Sequence, residues 1–132
     1  MTAMPVLAAL EAQLFVADIK AACAFYRDKL GFEVVFTYGE SPFYGQVRRD
    51  AARLNLRKVR EPVFAGDVRE REDLLAASVI VDSAADIAEL FRNFQAAGVD
   101  FNQTLKQKPW GARDFIVRDP DGNLVLFAGP AA

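Results

Sequence analysis

The chain repeats itself, and that repeat limits its architecture more than any other feature. Segment 13–26 reads QLFVADIKAACAFY and segment 78–91 reads SVIVDSAADIAELF, so the second half restates the first at an offset of about 65 positions. In both, an alternating apolar strand runs into a short polar residue, Asp18 or Ser83, suited to accept the free N–H groups at a helix start. Apolar residues then recur at helical spacing: Ile19, Ala22, Cys23, Tyr26 and Leu30 in the first helix, and Ile87, Leu90, Phe91 and Phe94 in the second. Each helix is expected to stop at a glycine, Gly31 or Gly98, where a left-handed residue is cheap.

Three strands are predicted after each helix, over 32–38, 43–49 and 52–58, and again over 99–105, 113–119 and 123–129. DPDG between the last two is a strong turn signal, and RRDAAR holds the equivalent place in the first half. The predicted class is therefore α+β: two tandem βαβββ modules forming a curved mixed β-sheet with a cleft, helices on the outer face. Residues 1–132 read as a single domain, with module one at about 9–59, a connection at about 60–73 and module two at about 74–130. The connection contains Pro62 and Gly66, with a helical turn expected in VREREDL. Tyr38, Phe43 and Tyr44 crowd one loop; core packing accounts for two of them, and Tyr44 is assigned to the cleft.

Composition narrows the function classes. Hydrophobic residues at 52% against 26% charged supply a real core, which excludes a disordered tail. The net charge of −2 comes from intermingled acids and bases, so nucleic acid finds no basic stripe to bind. The apolar opening MTAMPVLAAL lacks a basic flank and is too short to cross a bilayer, so no membrane partner and a cytoplasmic location are expected. There is no histidine, which removes Ser-His-Asp and Cys-His catalysis and the commonest transition-metal ligand. The lone Cys23 falls on the apolar helix stripe and reads as core filler.

The residues also resemble a known family over nearly the whole chain. V-x-D, FY and LGF appear as Val16, Asp18, Phe25, Tyr26, Leu30, Gly31 and Phe32, and DPDGN as 119–123. KPWGARDFIVRDPDGN and YGQVRRDAARLNL add to a resemblance to the glyoxalase / bleomycin-resistance / extradiol dioxygenase (vicinal oxygen chelate) superfamily. The resemblance implies isomerase, lyase, dioxygenase or antibiotic-binding function, and fold alone does not choose among them. Many such enzymes hold a divalent metal through four inward side chains, which by motif register fall here on Glu11, Asn55, Ala76 and Leu126. Ala76 and Leu126 have no lone pairs and Asn55 is a weak neutral donor, so neither metal nor cofactor is expected. The resemblance is then closest to the metal-free bleomycin-resistance-like branch, and it implies a homodimer whose modules pair within or between chains.

Strand alternation extends the candidate site. If Asn55 points inward, so do Arg53 and Arg57, while Glu11 and Gln13 share the cleft face of the first strand with Phe15. Trp110 is a candidate stacking wall or a structural residue at a dimer seam, and Arg113 a candidate carboxylate partner or a surface ion pair. Two arginines against one glutamate favour an aromatic, neutral or anionic small-molecule ligand over a cationic glycopeptide. The competing readings are a lyase or isomerase using Glu11 as general base, and a partner-binding module with a vestigial cleft.

Overall fold

The computed structural model describes residues 4–61 and 68–131; Pro62 and Gly66 of the connection lie outside them. Module one comprises β1 (Ala12–Val16), α1 (Ile19–Asp28), β2 (Glu33–Tyr38), β3 (Tyr44–Arg49) and β4 (Ala52–Lys58). A single helical turn, α2 (Val68–Arg71), falls where VREREDL predicts one. Module two repeats the order with β5 (Leu75–Ile80), α3 (Ala84–Ala96), β6 (Asp100–Gln107), β7 (Ala112–Arg118) and β8 (Leu124–Pro130).

Each module is its own four-stranded sheet, ordered β1-β4-β3-β2 and β5-β8-β7-β6. In both, the first strand runs parallel to the last and the remaining neighbours are antiparallel. The helix between first and second strands makes this mixed order possible, because it carries the chain back across the sheet. Asp18 Oδ1 accepts the N–H of Ala21 at 2.9 Å and Ser83 Oγ that of Asp86 at 3.1 Å, so both caps act as the sequence predicts. Gly31 and Gly98 follow the helices with φ of 75° and 76°, values that a side chain would strain.

The sheets bury one face against the helices. Leu14, Val16, Val47, Leu54 and Leu56 meet Ile19, Ala22, Cys23 and Tyr26 in module one, while Phe115, Val117, Val125 and Phe127 meet Ile87 and Phe94 in module two. These belong to one continuous cluster, so the halves share a core. Cys23 is buried in it, and burial pushes its thiol pKa up. Such a thiol is a packing group, and no histidine exists to ionise it.

The β7–β8 turn braces the two modules. Asp119, 3% exposed, accepts the Tyr26 hydroxyl at 2.8 Å and Asn123 Nδ2 at 2.9 Å on one oxygen. Its other oxygen accepts the backbone N–H groups of Asp121 and Asn123 at 2.9 and 2.8 Å. Asn123 also donates to the Phe15 carbonyl at 2.9 Å, and Asp121 accepts the Ala17 N–H at 2.9 Å. Burial raises the Asp119 pKa despite these donors, and burial followed by the Asp119 charge pushes the Tyr26 hydroxyl well above its usual value. No helix among the described residues is long and apolar enough to cross a membrane.

Candidate functional site

The face of module one turned away from α1 is laid out in rows by strand register. Gln13, Asn55, Gln46 and Phe36 stand in one row across β1, β4, β3 and β2. Phe15, Arg57, Tyr44 and Tyr38 form the next. Leu54 and Leu56 are buried in the helix-side core, so Arg53, Asn55 and Arg57 occupy the opposite face, as alternation requires.

A polar network knits this face together. Asn55 Nδ2 donates to Glu11 Oε1 at 2.9 Å, and Gln46 Nε2 donates to the same oxygen at 3.2 Å and to Asn55 Oδ1 at 2.9 Å. Arg53 then donates to Gln46 Oε1 at 3.0 Å. Asn55 and Gln46 are buried at 3% and 6% exposure, so these bonds satisfy amides that would otherwise be costly. Arg53 is thereby tied into the floor. Arg57 is exposed and has no side-chain partner among the described residues, with Phe15 and Tyr44 as its cross-strand neighbours.

Aromatic residues share this face with Arg57. Phe36 and Tyr44 lie with ring centroids 5.9 Å apart, and Tyr38 meets Phe43 edge-on at 5.5 Å. Phe36, Tyr38 and Phe43 are 41%, 66% and 51% exposed, and Tyr44 is half-buried. The expectation that core packing accounts for two of Tyr38, Phe43 and Tyr44 is therefore wrong. Tyr38 and Tyr44 are paired strand residues, and their alternation turns them away from the helix.

The remaining candidates lie elsewhere. Trp110 sits in the β6–β7 hairpin of module two, 74% exposed, with Lys108 Nζ 5.9 Å from its ring centre. No hydrogen bond or ring contact among the described residues links it to the Glu11 network. Arg113 pairs with Gly129, and a Cβ at Gly129 would point at Ile87 of α3. Arg113 thus occupies the helix side of its sheet, away from the inner face, because it alternates with Asp114. The residues that sequence reasoning passed over are Gln46 and Phe36 in module one.

Module two presents a different inner face. Leu126 lies between Ile116 and Ser78, and Ala76 stands at a register shift in β5. Buried Asp114, 3% exposed, accepts Gln103 Nε2 at 2.7 Å and faces Lys108 Nζ at 3.7 Å. The four positions that the resemblance marks for a metal therefore offer one carboxylate, one amide and two hydrocarbons, and the carboxylate and amide are bonded to each other. That donor set does not fit a divalent ion.

Residues 8–127 match the family described as the Glyoxalase/Bleomycin resistance protein/Dioxygenase superfamily. The chain belongs to this superfamily. A bleomycin resistance protein of Geobacillus stearothermophilus is 30% identical over 120 residues, covering 85% of this chain and 89% of that one. The bleomycin-binding protein of Streptomyces verticillus, solved with copper(II)-bleomycin, superposes with a TM-score of 0.68 at 26% identity, covering 98% of this chain and 99% of that one. A lactoylglutathione lyase structure from Agrobacterium tumefaciens has a TM-score of 0.71 over 96% of each chain, at 24% identity, and so shares the fold. The fold is thus shared by proteins named for drug binding and by one named as a lyase, and the side chains of the inner face must decide between such functions.

Proposed function

We propose that this protein is a metal-free small-molecule-binding protein of the bleomycin-resistance-like type, holding an aromatic, neutral or anionic ligand in a cleft of a homodimer. The observation that carries the reading is Arg57: an exposed guanidinium with no partner among the described residues, in a row with Phe15, Tyr44 and Tyr38. A planar ligand bearing a carboxylate pairs with that fork while its ring stacks on the aromatic edge. The Geobacillus and Streptomyces relatives support the binding class. Their named ligand fits less well, because bleomycin-type drugs are cationic and this face carries Arg53 and Arg57 against the single carboxylate of Glu11.

The enzymatic reading, with Glu11 as general base, draws support from the lyase fold alone. Both amide donors converge on Glu11 Oε1, so in that reading Oε2 is the oxygen that receives the proton. The test is a panel of bleomycin, aromatic carboxylates and neutral aromatics, followed by calorimetry on wild type and Arg57→Ala, with dicarbonyl and epoxide turnover assayed in parallel. Carboxylates are expected to bind at micromolar level and to lose about tenfold or more on Arg57→Ala, the worth of one charge-assisted contact at ~1.5–3 kcal/mol. Tight bleomycin binding, carboxylate affinity indifferent to Arg57→Ala, or turnover abolished by Glu11→Gln would refute the assignment.

A further inference from the structure

The pseudo-twofold relation between the modules is broken at one place outside the inner face. On one side, the β7–β8 turn seats Asp119 against the Tyr26 hydroxyl of α1. On the other, the equivalent pair is Asp50 of the β3–β4 turn and Phe91 of α3. Phe91 has no hydroxyl to donate, and its ring instead packs on Phe101 and Phe115 at 5.0 and 5.4 Å. Among the described residues no hydrogen bond draws this turn onto its helix, and a groove of about 620 Å³ remains between them.

The groove has an apolar floor of Phe32, Val79, Leu90 and Phe127. Its walls carry Asp50, Asp82, Asp86 and Glu89 against one cation, Arg49. Arg49 is already committed to the Leu30 carbonyl at 2.8 Å. None of the four carboxylates has an ion-pair partner among the described residues. The volume lies within the range of small-ligand sites, and the groove shares no lining residue with the Glu11 network or Arg57.

We propose that this groove is a second binding site, specific for a small organic cation with an apolar body. The ammonium or guanidinium group meets the acidic wall, and the hydrocarbon covers the exposed parts of Val79 and Leu90. The site is independent of the inner-face ligand and survives if that assignment fails.

Three probes with one apolar body separate charge from burial: 4-phenylbutylamine, 4-phenylbutanol and 4-phenylbutyrate. Titrated into the isotope-labelled protein, the amine is expected to shift backbone amides at 50–52, 79–82 and 86–93. Asp82→Asn with Glu89→Gln, both exposed, should weaken it about fivefold or more, two surface ion pairs being removed, and added salt should act in the same direction. Arg57→Ala should leave its affinity unchanged. Equal binding of the alcohol or the acid, shifts confined to the inner face, or no amine binding at millimolar concentration would each overturn the proposal. So would dimerisation through these residues that the double variant abolishes, since a second copy would then be the occupant.

Discussion

Replacing Tyr26 by Phe tests how far the brace between modules holds the fold. The substitution deletes one hydroxyl that is fully buried and donates to Asp119 at 2.8 Å, leaving the ring contacts with Phe25 and Phe32 in place. No donor is orphaned, and Asp119 keeps Asn123 Nδ2 on the same oxygen and two backbone N–H groups on the other. The cost is then one hydrogen bond to an acidic group, about 1.5–2 kcal/mol. For a chain of this size that lowers Tm by roughly 5–10 °C. Asp119→Ala removes all four bonds and strands the Tyr26 hydroxyl, so it should cost more, about 3–5 kcal/mol. The pH dependence gives a separate signature. A Tyr26 pKa raised in the folded state means that its linked stabilisation is complete below the unfolded value of about 10 and is lost as pH rises from there toward the folded value. Urea unfolding of wild type and Tyr26→Phe at neutral and alkaline pH measures both effects. A variant within about 0.5 kcal/mol of wild type at neutral pH, or one as alkali-sensitive as wild type, would show that the brace contributes little.

Three further outcomes are expected. Nickel, zinc or manganese at submillimolar concentration should leave Tm unchanged, since an ion that binds only the native state must stabilise it; a shift of several degrees would refute the metal-free reading. Phe115→Ala should cost about 3–5 kcal/mol in chemical unfolding, because a fully buried ring stacked on Phe127 at 5.3 Å is removed. Sedimentation at micromolar concentration should give a dimer that covers inner-face residues such as Phe36, 41% exposed in the single chain; a monomer at all concentrations removes the dimer-cleft reading.

The parts of the fold legible in the sequence were those written in local periodicity. The caps at Asp18 and Ser83, the helix stripes and the common face of Arg53, Asn55 and Arg57 all follow from spacing within one segment. What depended on register between strands was hidden. Gln46 looks unremarkable within its own strand and becomes part of the floor only because it is paired with Asn55. Phe36 is concealed by a local irregularity: counted by twos from Val34, which packs on the core, it belongs on the helix side. A register shift between Val34 and Phe36 moves it to the inner face opposite Gln46. Arg113 misleads in the opposite way. Its neighbourhood to Trp110 and Gly111 suggests a ligand contact, while its alternation with Asp114 turns it toward α3.

The DPDGN turn by which such chains are recognised has a consequence for what recognition means. Asp119, Asp121 and Asn123 spend their polar atoms on Tyr26, Ala17, Phe15, Arg69 and one another, and none of them belongs to the inner face. What the motif does here is keep two similar halves docked. It can therefore persist while the inner face is rewritten for a new cargo, and a strong family match leaves the ligand as free to vary as it was before the match was made.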